Sequence, residues 1–576
     1  MVGMFRLFTK QRRMARRISQ GREVFPDEIF LDSKNLSELD TQQFEGRIEH
    51  PIPVGTLIFL ASMFVLFGIG YTARAYQLQV SQGAAYLAKS ENNRLRKTTV
   101  FAERGAITDR DGVALAWNAS NPSNTDFALR QYIDSPAFSH VLGYVKYPSK
   151  DASGYYYSKR YDAKDGVEAH YDDLLSGENG VKLSETDALG KVQSENTIQL
   201  PRAGLPLALS IDAGIQQHMY EAVRSVVETA DYKGGAAGLL DVKTGEIVAM
   251  TSYPSYGSNV LTEGKDVKQI NALFADTDNP FLDRFTDGLY APGSTVKPFL
   301  AIAALQEKII DPSTQILSTG SISLQNIYDS SQQTVFKDWR ANGWTDMRMA
   351  IALSSDIYFY EVGGGYKEQK GLGITKIEKY LRLFGFGDTT GDGLLLGKKG
   401  VVPNPEWKRE NFNEEEWTIG NTYHTSIGQY GTLVTPLQML VGVATIANDG
   451  VVPNVTLLKD GTAGNNTFKH LDVPKDVFRI VKEGMRMTVT VGTATSLNFP
   501  DVQVAGKTGS AEIGTQKKFT NSWFTGFFPY KEPRYAVVFV MERGPRTNTV
   551  GATSAAYHFL QWLGATRPEM TSLTSE

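Results

Sequence analysis

The chain has no cysteine among its 576 residues, which excludes disulfides, thiolate nucleophiles and cysteine-ligated zinc. It has little net charge, −4 at pH 7, so there is no global basic field to draw in nucleic acid, and a substrate has to be recognised locally. It has only seven histidines, scattered along the chain, and no G-x-S-x-G turn. Nothing therefore indicates a Ser-His-Asp hydrolase. Long apolar runs are scarce as well, with one exception. The length exceeds what one hydrophobic core serves, so two or more folded units are expected.

The exception is Pro51 to Ala73, PIPVGTLIFLASMFVLFGIGYTA, which carries no charge. A helix of roughly 20 apolar residues spans the hydrocarbon layer of a membrane, so residues 51–73 are expected to form a transmembrane anchor. A cleaved signal would have a short basic leader and a shorter apolar core. Here a fifty-residue leader precedes the run, and the anchor is expected to stay attached. Flanking charges balance, Lys34 and Arg47 before against Arg74 and Lys89 after. The distal cluster Arg6, Lys10, Arg12, Arg13, Arg16, Arg17 and Arg22 breaks the tie. It predicts a single-pass protein with a cytoplasmic N-terminus and everything after residue 74 extracytoplasmic.

Residues 1–50 mix charged and polar residues without periodicity and read as a disordered tail. Residues 75–205 carry Gly and Tyr clusters and read as an accessory module. From 206 the pattern changes. SIDAGIQQHMYEAVRSVVETA has apolar spacing near 3.6 with Asp212 placed to cap a helix. GGAAGLLDVKTGEIVAMTS reads as two strands joined at Lys243-Thr244-Gly245. NSWFTGFFPY and RYAVVFVMERG read as strands, followed by a helical AAYHFLQWL. Strands at both ends of a long helical middle predict an α+β domain over 206–566 whose sheet joins its two ends, followed by a tail over 567–576.

Three short segments carry chemistry. In GLYAPGSTVKPF (288–299), Pro292-Gly293 is a turn and an apolar run follows, which puts Ser294 at a helix N-terminus with Lys297 on the same face. A serine hydroxyl is a poor nucleophile until a base takes its proton, and a desolvated lysine can do so. The helix N-terminus favours the oxyanion that develops. The second segment is Ser354-Ser355-Asp356. Ser354 can relay a proton between Lys297 and the leaving group, and Asp356 can anchor Lys297 or an amide of the substrate. The third is Lys507-Thr508-Gly509-Ser510. On a strand edge, Lys507 and Thr508 would hold a carboxylate, and Gly509 would let an acyl group approach the backbone. The N–H groups of Ser510 and Ser294 would form an oxyanion hole. The tripeptide also occurs at 243–245, where hairpin chemistry explains it. The GKT of 506–508 does not end a phosphate loop, because position 501 is aspartate and not glycine.

This ordered set is the one used by class A β-lactamases and penicillin-binding proteins. The sequence resembles a class B penicillin-binding protein well beyond it, through ERGAITDRDGVALA (103–116), GVEAHYDDLLSGENG (166–180), LSIDAGIQ (209–216), TSIGQYGTLVTPLQM (425–439), GMRMTVTVGTATS (484–496) and NSWFTGFFP (521–529). The resemblance covers about residues 52 to 564. It implies a penicillin-binding/serine β-lactamase-like transpeptidase domain, an antiparallel sheet flanked by helices, behind an N-terminal transmembrane helix and a mixed pedestal of the dimerisation-domain type. It implies a serine-type peptidoglycan D,D-transpeptidase that cross-links stem peptides through a Ser294 acyl-enzyme, releases terminal D-Ala, and is acylated by β-lactams. Ser294, Lys297 and Ser354 would be catalytic, and Asp356, Lys507, Thr508, Gly509 and Ser510 would bind substrate. No cofactor, metal or nucleic acid is implied. With no glycosyltransferase segment apparent, a SEDS-family polymerase in the membrane is the implied partner. Asp356 in place of the commoner asparagine, the YFYE after it and PNPEWK (403–408) resemble the elongation-type penicillin-binding protein 2 more than the division-specific enzyme.

Two departures from the family stand out: Tyr430 where glycine is usual in the IGQG segment, and Ser510 where threonine is common. Two other functions compete. A β-lactamase needs a group that activates water, and no E-x-x-L-N segment lies between Ser354 and Lys507. A penicillin-binding sensor or scaffold without turnover would not need an intact Ser294, Lys297 and Ser354.

Overall fold

A computed structural model describes residues 53–87 and 95–571, apart from 123, 125, 153–155, 187–191, 326–328, 330, 392, 460–468 and 515. The expectations for the 1–50 tail with its basic cluster, and for 572–576, lie outside the described residues. The chain divides into two compact units, Met1–Asn93 and Arg94–Glu576.

In the first unit, Val54–Tyr76 is a continuous α-helix of 23 residues, three residues longer at its C-terminal end than the uncharged run, and a π-helical turn follows over Gln77–Ser81. At 1.5 Å per residue it is about 35 Å long. It is long and apolar enough to cross a membrane, and none of its residues is buried.

The second unit opens with the pedestal. One antiparallel sheet sets Gly180–Thr186 between Leu95–Val100 and Val192–Gln199. Another runs Leu129–Tyr132, Ala114–Ala119, Ile107–Thr108, Leu207–Ala208, its last pair parallel. The pedestal therefore reaches past residue 205, because its final strand is 207–208. Glu168 is fully buried between two fully buried arginines, Arg104 and Arg130, whose Nε atoms both donate to its carboxylate. That ion pair ties the ERGAITDRDG segment to GVEAHYDD. Arg110 reaches out of the pedestal to Glu246 at 2.6 Å.

The larger domain is built on five antiparallel strands. We label them β1 (Gly234–Asp241), β2 (Ile247–Tyr253), β3 (Ala505–Ile513), β4 (Phe519–Phe528) and β5 (Tyr535–Pro545), in the spatial order β2-β1-β5-β4-β3. The sheet joins the two ends of the domain, as the strand pattern predicts, and β3 is an edge. Among its helices we label α1 (Ala213–Thr229), α2 (Lys297–Gln306), α3 (Met347–Ala352), α4 (Asp356–Gly364), α5 (Pro436–Ala447), α6 (Lys475–Thr490) and α7 (Ala552–Thr566). Asp212 caps α1 through the Ile215 N–H.

Strand alternation divides the core into two layers. On β5, Val537, Phe539 and Met541 face α1 and α7, while Val538 and Val540 face the other layer, with α5 and α2. Every residue of α5 is buried, so this helix needs no polar face. It starts in a capping box of Thr435 and Gln438 with Pro436 in the first turn. The tail expected from 567 begins later among the described residues: Pro568–Thr571 is a short helix, with Thr571 buried and Met570 packed on the α1/α7 layer.

Candidate active site

Ser294 lies in a one-turn 3-10 helix, Gly293–Val296, that runs directly into α2. In such a turn side chains three apart eclipse, which keeps Ser294 and Lys297 on one face. Several neighbours hold the turn. Buried Trp523 of β4 donates its indole N–H to Ala291 O at 2.9 Å. The Gly293 N–H donates to Gly428 O at 3.1 Å, which brings the IGQ segment against the turn. Gly293 has φ +56° and a Cβ there would sit 2.8 Å from Ser510 O, so only glycine allows this approach to the edge strand. A Cβ on Gly509 would meet Pro292 O at 2.8 Å. The Ser294 turn and the Lys507–Ser510 edge are thus in backbone contact.

Lys297 is fully buried, and its Nζ has three acceptors: Asp356 Oδ1 at 2.6 Å, Ser354 O at 2.8 Å and Ser354 Oγ at 3.3 Å. Three acceptors match the three hydrogens of an ammonium. Of the two sequence-based roles for Asp356, binding substrate and anchoring Lys297, the contact is with Lys297. Burial pushes the Asp356 carboxyl up, with Lys297 pulling the other way. Ser294 Oγ is half-buried and makes no hydrogen bond among the described residues. The serine and lysine are therefore neighbours without a direct bond in this resting arrangement, as free enzymes often show before substrate tightens the site.

Ser354 is in the left-handed region, φ +57°, between the end of α3 and the start of α4. The next residue, Ser355, caps α4 by accepting from the Tyr358 N–H at 3.3 Å.

Lys507 on β3 is fully buried, and its Nζ donates to Thr508 O at 2.9 Å. Burial holds its ammonium well below the ordinary lysine range, and the positive charge of Lys297 adds to this. Lys507 thus lies on the buried face of the strand, close enough to Lys297 and Asp356 to feel both charges, while Thr508, half-buried, and Ser510, exposed, alternate to the other face. The Thr508 hydroxyl lies 2.6 Å from that of Thr493. Thr493, and the Asp338-Trp339 pair that grips the Ser354 turn, are site residues that local sequence patterns did not single out. Thr493 stood inside a family-like segment, whereas Asp338 carried no local signal. Among the described residues, no group of three or more His, Asp or Glu side chains gathers as a metal site would.

The departure at Tyr430 has a structural account. Its backbone is left-handed, φ +56°, the conformation glycine would supply. Its ring stacks on Phe412 at 6.0 Å and meets Trp417 edge-on at 5.6 Å and Trp407 at 6.1 Å.

Comparison with known proteins places this site in context. Residues 235–561 match the penicillin binding protein transpeptidase domain, and 123–209 match the penicillin-binding protein dimerisation domain. A peptidoglycan D,D-transpeptidase MrdA of Acinetobacter baumannii is 32% identical over 470 residues, covering 75% of this chain and 66% of that relative. The structure is similar to Pseudomonas aeruginosa PBP2 in complex with WCK 5153, with TM-score 0.68 and 27% identity, covering 84% of this chain and 100% of that one. It is also similar to a chain from a peptidoglycan synthase complex described as coordinating polymerization and crosslinking, with TM-score 0.67 and 25% identity, covering 91% and 100%.

Proposed function

The chain belongs to the penicillin-binding protein transpeptidase family, and from that premise we propose that it is a membrane-anchored, elongation-type peptidoglycan D,D-transpeptidase working through Ser294. The observation that carries this reading is the convergence of Ser294, Lys297, Ser354 and the Lys507–Ser510 edge on one cleft, with Lys297 buried between Ser354 and Asp356.

In this scheme Lys297 reacts as the neutral amine, its ammonium having first given up one proton to solvent; Ser294 Oγ attacks the carbonyl carbon of the penultimate D-Ala, and its proton passes to that amine. The hydroxyl of Ser354, 3.3 Å from Lys297 Nζ, relays a proton to the leaving nitrogen as the bond to the terminal D-Ala breaks. The amine of a neighbouring stem then attacks the acyl-enzyme and Ser294 is released. The N–H groups of Ser294 and Ser510 stabilise the oxyanion, an effect typically worth about 3 kcal/mol per donor. Thr508, oriented by Thr493, receives the substrate carboxylate, and Lys507, buried near Lys297 and Asp356, adds its electrostatic influence to the site. Gly509 leaves room for the acyl group. β-Lactams acylate the same serine.

The domain reading is an anchor centred on Val54–Tyr76, a pedestal ending near 208 and a transpeptidase domain to about 571. The chain crosses the membrane once, N-terminus inside and catalytic domain outside. A SEDS-family polymerase is the proposed partner, in keeping with the structural neighbour that belongs to a synthase complex.

The test is labelling by a fluorescent penicillin followed by mass-spectrometric mapping of the labelled peptide. Expected are rapid acylation at Ser294, very slow release, and no labelling or cross-linking by Ser294→Ala. Labelling elsewhere, labelling that survives in the variant, or rapid β-lactam turnover would each overturn the assignment.

A further inference from the structure

Asp338 follows the strand Gln333–Lys337 and is 9% exposed. Its carboxylate accepts six hydrogen bonds. Oδ2 takes Ser318 Oγ at 2.9 Å, Ser355 Oγ at 2.9 Å, Asn342 Nδ2 at 3.1 Å and Ile357 N at 3.2 Å. Oδ1 takes Trp339 N at 2.9 Å and Asp356 N at 3.1 Å. Three of the six donors belong to consecutive residues, 355 to 357, at the opening of α4. A helix N-terminus leaves such N–H groups without partners inside the helix and favours negative charge beside it, so Asp338 serves α4 as a cap supplied from a distant strand.

The adjacent residue works on the other side of the same turn. The Trp339 indole N–H donates to Leu353 O at 3.1 Å. Residues 353 and 355–357 are thereby gripped by one dipeptide, and Ser354 alone lies between, in a left-handed backbone that serine rarely adopts. From this conformation both the carbonyl and the hydroxyl of Ser354 accept from Lys297. Surrounding structure has to over-determine such a conformation for it to persist, and beside Lys297 itself, Asp338 and Trp339 hold both flanks of Ser354 from outside the turn.

We propose that Asp338 and Trp339 are positioning residues for acyl transfer, a clamp that holds Ser354 in its left-handed conformation and so aims its two oxygens at Lys297. The inference rests on the function proposed above and extends it to residues that do not touch the reacting atoms.

The test uses the full-length protein in detergent and a fluorescent penicillin, resolving the first-order acylation constant from the dissociation constant of the prior complex. Asp338→Asn nearly preserves shape but turns one acceptor oxygen into a donor facing other donors. It is expected to lower the acylation constant about 30-fold or more, since misplacement by about 1 Å costs on the order of 100-fold, and to leave the dissociation constant within about threefold. Trp339→Phe keeps a ring and removes only the N–H. Because this side chain is 54% exposed, that variant folds even where Asp338→Asn does not, and a fall of about three- to tenfold in the acylation constant alone is expected. Equal losses in both constants, or an unchanged acylation constant in a folded variant, would overturn the clamp. Wild-type labelling mapped to Ser294 with unchanged variants would overturn the clamp while leaving the proposed function standing. Labelling mapped elsewhere would overturn both.

Discussion

Lys297 and Asp356 form an ion pair, Nζ to Oδ1 at 2.6 Å, with the lysine side chain wholly enclosed and the aspartate side chain 17% exposed. Removing one partner of such a pair leaves a desolvated charge, which typically costs about 3 kcal/mol or more. Asp356→Ala should therefore lower the melting temperature by several degrees and slow penicillin acylation about 100-fold. Asp356→Asn keeps an oxygen facing the ammonium and should acylate within about tenfold of wild type. Melting curves and acylation kinetics on the two variants check this. Equal behaviour of the alanine and asparagine variants would show that the pair has no such role.

Tyr430 sets a backbone penalty against a packing gain. A left-handed tyrosine costs about 1 kcal/mol, and stacking on Phe412 with edge contacts to Trp407 and Trp417 returns about 0.5–1.5 kcal/mol per pair beyond the area buried. Tyr430→Gly should therefore destabilise the domain despite suiting the backbone. It should also slow acylation, because the segment it anchors carries Gly428, whose carbonyl accepts from Gly293 beside Ser294. Tyr430→Phe keeps the stack and should match wild type in both thermal melting and acylation.

What the sequence made legible follows from how local each signal is. Ser294 with Lys297, the Ser354-Ser355-Asp356 turn and the Lys507–Ser510 strand are short contiguous patterns; the Pro292-Gly293 turn before an apolar run was enough to put Ser294 at a helix start, whereas the strand edge for Lys507 was a premise of its expected role and not a reading of periodicity. Their mutual contact depends on strand order, with β3 placed beside a turn more than 200 residues earlier in the chain, and only the family resemblance anticipated it. Asp338 had no local signal at all. Its six donors come from residues up to 20 positions away on both sides, and they converge only once the strand Gly343–Thr345 has paired with Ile316–Ser318 and brought Ser318 and the start of α4 to Asp338. The burial of Lys507 was equally hidden, because strand alternation does not say which face of an edge strand is covered.

In the pedestal, Glu168 balances Arg104 and Arg130, all three fully buried. Glu168→Gln would remove the shared negative charge and leave Arg130 with Asn118 at 3.4 Å as its remaining side-chain partner. Loss of about 3–5 kcal/mol is expected, seen as a lower melting temperature. Because none of these three side chains hydrogen-bonds Ser294, Lys297 or Ser354, folded protein at low temperature should label with penicillin at the wild-type rate. Slowed labelling in the folded state would show coupling between pedestal and site.

Glu361 on α4 provides a test by pH. Burial raises its carboxyl to about 7 from an ordinary 4.5, with Lys367 opposing. Between those values the folded state holds a proton that the unfolded chain has released, so stability falls as pH rises from about 4.5 to 7, and the full cost is present above 7. Discounted for the group's partial exposure, the cost is about 1–2 kcal/mol. Glu361→Gln removes the ionisation while keeping the shape. The variant should melt higher than wild type at pH 8 and close to it at pH 5, with the gap opening across the interval between. A gap of the same size at both pH values would mean that the glutamate's charge is not what costs stability there.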